Sequence, residues 1–355
     1  MGQAVNLKQL SEKLSLSQTT VSRALNGYPE VADETRRRVV DAAKRFGYRP
    51  NPSARRLATG KTGMIGYVMP TGDSVDIDMH FVEFLSGVGD YARGHELDLA
   101  LSPTSLDDEE TTYRRVVANR QVDAVYLSSP GIADRRIMLM EQLGIPYIVH
   151  GRADGLDFDY PYLDIDNEGA FHDATRLLMQ MGHERIALVN GEEGKTFALH
   201  RERGVRRALE SHGLRLPDQR LSSSTMTEEN GYRTARRLLS GAERPTAIIC
   251  SSLIQALGVV RALGDSGLAI PGDVSLISHD DVFPFLKPEG FATPLTTTRS
   301  PIRAAGARIA ERLAARIAQT ETSPLGEVWP VELIVRGSVG KAAERTRGRR
   351  AGRPK

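Results

Sequence analysis

The chain has 355 residues, a net charge of +2 and one cysteine, Cys250. This length predicts more than one domain, and a single cysteine excludes an intrachain disulfide and a thiolate-rich zinc site. No apolar run reaches the roughly 18 residues of a membrane helix, and the N-terminal MGQAVNLKQLSEKL lacks the apolar centre of a secretion signal. We therefore expect a cytoplasmic protein with no membrane partner.

The charges are unevenly distributed along the chain. Residues 1–62 contain 12 Lys and Arg against five Asp and Glu, and residues 339–355 contain seven against one, so the segment between them carries a net charge of −11. Basic ends beside an acidic body favour a polyanionic partner such as nucleic acid. The alternative is two solvated basic arms.

Three short helices are predicted in the first 50 residues. The first begins after Asn6, a favourable N-cap with Gln9 as its capping-box partner. The second extends over about 18–26 and ends before Gly27, and the third extends over about 33–46. Two short helices joined by a tight turn and supported by a third are typical of a helix-turn-helix.

The second helix carries the side chains that favour DNA. Its exposed side has no negative charge, and it offers Gln, which bonds adenine, Arg, which bonds guanine, and Thr, whose methyl contacts thymine. The alternative is a small polar helical bundle that binds protein. The exposed residues are Gln18, Thr19, Thr20, Ser22 and Arg23.

The stretch LKQLSEKLSLSQTTVSRALNGYPEVADETRRRVVDAAKRFGYRPNPSARRLATGKTGMIGYVMP resembles the headpiece of the lactose/galactose-repressor family. The SxxTVSRALN core, the VxxxTRxxV run and the GYRPN step all occur at the family's spacing. The resemblance implies that Gln18 and Thr19 select the operator bases. It implies further contacts, to phosphates or bases, from Ser17, Thr20, Ser22, Arg23 and Asn26.

Two positions in this stretch depart from the family pattern. Ser15 lies in the turn where the family often has Gly, and Ala32 lies where a Ser usually caps the third helix. Neither departure removes a group that would contact DNA. We expect Asp33 to take over the cap.

Residues 51–58, NPSARRLA, are predicted to act as a hinge. Proline after a capping Asn suits the start of a helix, but eight residues are too few for a stable free helix. The resemblance implies a helix that forms in the minor groove, where Leu57 opens a base step with Ala54 and Ala58 beside it. The alternative is an ordinary interdomain linker.

From residue 63 onward, short apolar runs alternate with amphipathic helical segments. This alternation predicts an α/β fold with parallel sheets, and its length favours two lobes with a cleft between them. The predicted strands are 64–69, 97–101, 124–127, 147–149, 186–189, 247–250 and 274–277. The predicted helices are 80–93, 108–119, 134–143, 168–181, 199–212, 228–240, 253–266 and 302–318.

The family resemblance extends over about 63–338, through segments such as PYLDIDNEGA, MGHERIALVNG and DVSLISHDD. It implies a ligand domain like that of periplasmic sugar-binding proteins, in which the chain crosses between the lobes near 162, 291 and 325. The expected fold is therefore a small all-α helix-turn-helix headpiece followed by a two-lobed α/β ligand domain.

The resemblance places an effector in the cleft, with Arg201 and Asp280 at the family's effector-binding positions. An Arg and an Asp facing one cleft suit bidentate hydrogen bonds to the vicinal hydroxyls of a sugar. Ser252 stands where many members have Asn, and Leu253 stands where an Asp follows that Asn. These two departures keep a nucleobase or a sugar phosphate open as the effector. The other implied contacts are Asp78, His80, Phe81, Met226 and Ser252.

The sequence contains no enzymatic motif, since GxSxG, HExxH and GxxxxGK[ST] do not occur. Gly87-Val88-Gly89 is a fragment of a glycine pattern inside a predicted helix. Cys250 lies in an apolar strand, which is typical of inert packing, and His183 fits a structural helix-to-strand turn. We expect no catalytic activity, no metal and no cofactor.

The expected organisation is a headpiece (1–50), a hinge (51–62), an effector-binding and dimerisation domain (63–338) and a basic tail (339–355). The tail is rich in Arg and Gly and is expected to be disordered. It has no leucine for the heptads through which some family members form tetramers, so we expect a homodimer. The expected partners are palindromic double-stranded operator DNA and a small polar effector, a sugar; a solute-binding protein is the alternative class.

Overall fold

The structure is a computed structural model that describes residues 5–48, 60–71, 79–105, 107–241, 243–280 and 282–342, without the side chain of Met79. The chain divides into two compact units, Met1–Thr62 and Gly63–Lys355. In the part of the chain that the structure describes, no helix has the length and hydropathy needed to cross a membrane.

The described residues of the first unit form three helices, α1 (Leu7–Leu14), α2 (Gln18–Leu25) and α3 (Asp33–Arg45). Each contributes a fully buried side chain to one apolar core: Leu10, Val21 and Val39. Burial of a side chain of this size stabilises the fold by about 1.5–3 kcal/mol. The predicted capping box is present, since the Gln9 N–H donates to Asn6 Oδ1 over 2.9 Å and the Asn6 N–H donates to Gln9 Oε1 over 3.0 Å. The three predicted helices are therefore confirmed.

The two positions that depart from the family pattern, Ser15 and Ala32, both lie at helix ends in this unit. Ser15 ends α1 with φ +52°, a left-handed conformation that costs a non-glycine residue roughly 1 kcal/mol. The prediction that Asp33 caps α3 is wrong, because Ala32 occupies the cap position and no side chain caps the helix. Asp33 is the first residue of α3, and its carboxylate instead accepts a bond from Arg36 over 3.3 Å.

The second unit is built on two six-stranded sheets, each covered by helices on both faces. In the first sheet the strand order is β11-β5-β4-β3-β1-β2, and all neighbours are parallel. We call this sheet with its helices lobe 1. Its strands are β1 (Met64–Pro70), β2 (Asp98–Thr104), β3 (Ala124–Ser128), β4 (Tyr147–His150), β5 (Tyr162–Ile165) and β11 (Gly326–Trp329). Its helices are α4 (Met79–Ala92), α5 (Glu109–Ala118), α6 (Arg135–Leu143) and α11 (Ile302–Ala318).

Lobe 2 repeats this plan with the strand order β12-β10-β9-β8-β6-β7. Its strands are parallel except for β12, which pairs antiparallel with β10. They are β6 (Ile186–Asn190), β7 (Leu221–Ser223), β8 (Ala247–Cys250), β9 (Ser275–His279), β10 (Thr296–Arg299) and β12 (Glu332–Ile334). Its helices are α7 (Asn167–Gln180), α8 (Thr196–Glu210), α9 (Glu228–Ser240) and α10 (Leu253–Asp265).

The chain passes between the lobes three times, at 166, 300–301 and 330–331. The predicted number of crossings is confirmed, but the predicted positions near 162, 291 and 325 are wrong. Each of them lies at or before the start of a short strand that the sequence did not reveal (β5, β10 and β11), and the crossing follows that strand. All three crossings meet at the edge where the lobes face each other, so the cleft lies at the carboxyl ends of the parallel strands.

Helices α4 and α11 approach each other closely, which explains the glycine fragment in α4. A Cβ atom on Gly87 would lie 1.8 Å from the carbonyl oxygen of Arg303, and one on Gly306 would lie 2.1 Å from that of Phe84. No side chain fits at either position without separating the helices. Gly87 therefore serves helix packing in lobe 1.

His183 and Cys250 are structural residues of lobe 2, as predicted. The His183 ring lies 3.0 Å from both Thr246 Oγ1 and Ser275 Oγ, and its Nε2 also lies 3.0 Å from the carbonyl oxygen of Gly340. Burial lowers the pKa of His183, so the neutral ring is favoured. Cys250 is fully buried in β8, and burial raises the pKa of its thiol, which keeps it unreactive.

Candidate functional site

The start of α2 is fixed by a side-chain cap. The Ser17 hydroxyl accepts the N–H of Thr20 over 3.0 Å and lies 2.8 Å from the Thr20 hydroxyl. At the other end, Asn26 follows the helix, and its amide donates to the Ser22 carbonyl over 2.9 Å. These bonds hold α2 rigid at both ends, which suits a helix that must present side chains to a partner.

Most of the predicted DNA-reading residues share one side of α2, away from the buried Val21 and Ala24, whereas Thr20, whose hydroxyl lies against Ser17, does not line this side. The polar side chains form an open surface groove of about 370 Å³, with Leu7 and Tyr28 beside them. Its donors and acceptors match the edges of bases in the major groove, and it carries no acidic group. The polar residues that line it are Gln18, Thr19, Ser22, Arg23 and Asn26.

Four predicted contacts lie outside the described residues. They are the hinge positions Ala54, Leu57 and Ala58, and the cleft position Asp78.

The two lobes touch through direct bonds on one side of the cleft. At the start of α8 in lobe 2, the Thr196 N–H and hydroxyl both donate to the Pro130 carbonyl of lobe 1, over 3.1 and 2.9 Å. Further along α8, His200 Nε2 lies 3.0 Å from Asp154 Oδ1, and Arg203 lies 3.0 Å from the other oxygen of that carboxylate. Helix α8 is therefore the main element of lobe 2 that contacts lobe 1.

Arg201 lies on the same helix and reaches into the cleft. It is 6% exposed, its Nε donates to Asn167 Oδ1 over 2.8 Å, and one terminal nitrogen donates to the Ser251 carbonyl over 2.8 Å. The guanidinium lies over two aromatic rings, 5.1 Å from the centre of Phe171 and 4.8 Å from that of Phe197. Burial lowers the pKa of Arg201 to about 10, still far above neutral pH, so the charge persists inside the protein.

Asp280 follows β9 and faces Arg201 across the cleft wall. It is buried and has φ +63°, a left-handed conformation that is uncommon for a residue with a side chain. Its Oδ1 accepts the Ser300 hydroxyl over 2.5 Å, and its Oδ2 lies 2.5 Å from Nε2 of His80. Burial alone would raise the pKa of Asp280, but His279, His80 and Arg201 together hold it well below the usual range. The carboxylate is therefore ionised.

His80 is the cleft residue that lobe 1 contributes to this cluster. It lies at the start of α4, and its ring packs edge-on against Phe283 of lobe 2 with 4.9 Å between the ring centres. The contact between His80 and Asp280 thus also joins the lobes, so a group that binds Asp280 acts directly on the link between them.

The other predicted effector contacts among the described residues are Phe81, Met226 and Ser252, and each has different surroundings. Phe81 packs into lobe 1, 4.8 Å from the Tyr67 ring. Met226 is half-buried near the end of β6, beside Gly191. The Ser252 hydroxyl caps α10 by accepting the N–H groups of Ile254 and Gln255 over 3.0 and 3.3 Å. Ser252 is thus placed by the start of its helix, with its oxygen already occupied by the cap.

Two polar residues near the strand ends of lobe 1, His150 and Asp164, were missed by the sequence reasoning. His150 ends β4, and its Nδ1 lies 3.2 Å from the Tyr126 hydroxyl. Asp164 lies in β5, buried at 3% exposed, with the Arg152 Nε 3.9 Å from its Oδ2. The usable signal was positional, because side chains at the carboxyl ends of parallel strands line the cleft of such folds.

The arrangement suits binding of a polar ligand. A buried Arg, two buried Asp side chains and several imidazoles surround the cleft, and such groups are costly to bury unless they are paired with each other or with a ligand. Among the described residues, no group of three His, Cys, Asp or Glu is placed to hold a metal ion.

Comparison with known families and proteins assigns both units. Residues 13–51 match the model of bacterial regulatory proteins of the lacI family, and residues 175–339 match that of a periplasmic binding protein-like domain. The HTH-type transcriptional regulator AglR of Rhizobium meliloti (strain 1021) is 54% identical over 342 residues, which are 96% of each chain. The HTH-type transcriptional regulator RafR of Escherichia coli is 37% identical over 281 residues, 78% of this chain and 82% of RafR.

Solved structures agree with this assignment. The transcriptional regulator CelR in complex with cellobiose is similar with a TM-score of 0.70 at 27% identity, covering 94% of this chain and 99% of that one. The lac repressor dimer bound to operator and the anti-inducer ONPF has a TM-score of 0.78 at 21% identity, covering 95% and 100%, and this likeness concerns the fold alone. The predicted fold class is confirmed.

Proposed function

The chain belongs to the lacI family of bacterial regulatory proteins and is a DNA-binding transcriptional regulator, and on this premise we propose that it is a sugar-responsive repressor. It binds a palindromic operator as a homodimer, and a sugar in the cleft between its lobes changes its affinity for that operator. Its relatives are transcriptional regulators, so the chain is not an enzyme.

The observation that carries the effector proposal is the pairing of buried Arg201 and Asp280 with His80 in one cleft. Arg201 and Asp280 are of opposite charge and come from the same lobe, whereas His80 comes from the other. Vicinal hydroxyls of a sugar accept from a guanidinium and donate to a carboxylate at the same time. The cellobiose complex of CelR supports this class of ligand.

The physical route from ligand to DNA is a change in the link between the lobes. A ligand that bonds Asp280 either competes with the contact between Asp280 and His80 or reinforces that contact. The ligand thereby favours one arrangement of the lobes. The ligand changes the free energy of DNA binding only by as much as its own affinity differs between the two arrangements, typically about 1–3 kcal/mol. In a dimer, the arrangement of the lobes sets the spacing of the two headpieces and hence the fit to both operator half-sites.

We expect operator affinity to change by about 5–150-fold when the right sugar is added. The test measures binding of the full chain to a selected operator by fluorescence anisotropy, at one fixed salt concentration because phosphate contacts make affinity salt-dependent. The ligands are glucose, galactose, cellobiose, maltose, melibiose, sucrose and trehalose, with glucose 6-phosphate and hypoxanthine for the alternative effector classes. A response to hypoxanthine or to the phosphate alone would replace the sugar proposal with one of those alternatives.

The reading of bases by α2 is tested separately. Replacing Gln18 or Thr19 with Ala should relax base preference at defined operator positions, because each removes a contact to a base edge worth about 1–3 kcal/mol. Selection from a randomised palindromic library measures the preferred sites of the wild type and of each variant. Lys44→Ala in α3 serves as a control outside the groove. Identical preferred sites for all four proteins would refute the assignment.

A further inference from the structure

Asp164 occupies an unusual position for a carboxylate. It lies in β5 of lobe 1, two residues before the first crossing, and it is 3% exposed. Residues of both lobes surround it: Arg152 and Tyr160 from lobe 1, and Asn167, His200 and Arg201 from lobe 2. Asp164 therefore lies in the interior of the cleft, close to the crossing that joins its walls.

The hydrogen bonds of Asp164 are incomplete. The Ile165 N–H acts on its carboxylate, its Oδ1 is 3.4 Å from the Asn167 amide, a weak contact, and its Oδ2 meets no hydrogen-bond partner of normal geometry among the described residues. The Nε of Arg152, 3.9 Å from that Oδ2, is also buried and without such a partner in the described part of the chain. A buried acceptor and a buried donor thus face each other across a gap too long for a direct bond.

A hydroxyl group suits this pair of atoms because it is both a donor and an acceptor. With its oxygen beside the line that joins them, at hydrogen-bond distance from each, it would donate to Asp164 Oδ2 and accept from Arg152 Nε, so that both buried atoms would be satisfied at once. A phosphate or carboxylate oxygen only accepts, and it would face the Asp164 carboxylate at close range with a charge of the same sign.

We propose that Asp164 and Arg152 form an additional subsite of the cleft, which binds a hydroxyl of a neutral sugar and disfavours anionic ligands such as sugar phosphates. The inference rests on the proposed sugar-responsive function and narrows its ligand class. The balance of charge agrees with it, because the buried guanidinium of Arg201 in the cleft interacts with two buried carboxylates, Asp164 and Asp280.

The protonation of Asp164 provides a second, independent readout. Burial raises the pKa of its carboxyl to about 6, although the Ile165 N–H and the charges of Arg152, His200 and Arg201 act in the opposite direction. A hydroxyl that donates to Asp164 binds its ionised form, so sugar binding should weaken as the pH falls through about 6. Other groups near the ligand also titrate, so the subsite is identified by the difference between the wild type and an Asp164→Asn variant.

The experiment measures ligand binding to the full chain by isothermal titration calorimetry. The probes are matched pairs: glucose and glucose 6-phosphate, trehalose and trehalose 6-phosphate, sucrose and sucrose 6-phosphate. We expect the wild type to prefer the neutral member by at least about 10-fold, and Asp164→Asn to bind it about 10-fold more weakly and to discriminate less. Arg152→Gln should weaken binding of the neutral sugar in the same way, and the pH dependence should be smaller in Asp164→Asn.

Asp173→Asn is the matched control, since it makes the same chemical change at an exposed position of α7. The asparagine at 164 keeps the shape of the side chain, and circular dichroism verifies that each variant is folded. Equal sugar affinities for the wild type and Asp164→Asn would overturn the subsite but leave the proposed function intact. Preference of the wild type for the phosphates would also overturn it, and absence of binding to every member of the pairs and of the anisotropy panel would overturn the sugar function itself.

Discussion

Replacing Arg201 with Ala should abolish the response of operator binding to ligand and leave the ligand-free operator affinity within a few-fold of the wild type. Two nitrogens of the guanidinium are held by Asn167 and the Ser251 carbonyl, which leaves the second terminal nitrogen for a ligand. The variant loses that donor and the charge that faces Asp280. The residues proposed to read DNA belong to the other compact unit and do not contact Arg201 directly.

The measurement is operator anisotropy with and without the sugar to which the wild type responds, at one salt concentration. Arg201→Lys is the informative control, because it keeps the buried positive charge but loses the planar guanidinium. That group can bond Asn167, the Ser251 carbonyl and a ligand in fixed directions. We expect Arg201→Lys to fold and to retain a weak response at high sugar concentration. A full response in Arg201→Ala would show that Arg201 is not part of the effector site.

The fold was largely predictable because its helices have strong amphipathic patterns and definite ends. All eight helices predicted after residue 63 occur in the structure, and α9 and α11 have the predicted bounds. The seven apolar strands were also predictable, since strands buried on both faces are continuous apolar runs. The missed strands have a different composition.

Strand β10 shows why such strands escape a reading of the sequence. Its residues are TTTR, and three of them, Thr296, Thr297 and Thr298, are buried although they are polar. Their hydroxyls are bonded by distant groups, such as the Arg336 guanidinium at Thr297 and the His279 ring at Thr298. No local pattern encodes partners about 20–40 residues away, so the strand and the crossing after it were misplaced.

The candidate site also contains residues that the sequence predicted and residues that it did not. Arg201, Asp280 and His80 were all expected at the cleft from the family resemblance. The role of Ser252 as a helix cap follows from its contacts in the folded chain. The positional signal of Asp164 was hidden because β5 itself was not predicted, and its surroundings come from five residues that the folded chain brings together.

The largest stability effect is expected at Arg312, a fully buried arginine of α11. Its guanidinium bonds the Glu321 carboxylate over 2.7 Å, and the carbonyls of Tyr162, Pro324 and Leu325 over 3.0, 2.8 and 3.1 Å. These groups lie where β5 and β11 begin, so one side chain ties the helix to two neighbouring strands of lobe 1. Replacing it removes a donor from each of these groups: Glu321 keeps Arg316 and the Leu325 carbonyl keeps the Tyr162 N–H, but the Tyr162 and Pro324 carbonyls lose the guanidinium and Glu321 loses its fully buried partner.

We therefore expect Arg312→Met, which keeps the aliphatic volume, to lower the free energy of unfolding by about 3–5 kcal/mol. For a unit of this size the midpoint of thermal unfolding should fall by roughly 10 °C. Circular dichroism of the full chain measures it, with Arg93→Met as the control, because Arg93 is 77% exposed and bonds only the neighbouring Asp90. Such exposed ion pairs contribute little to the free energy of unfolding, so the control should unfold at the wild-type temperature. If Arg312→Met also unfolds at that temperature, the buried guanidinium is not what joins α11 to β5 and β11.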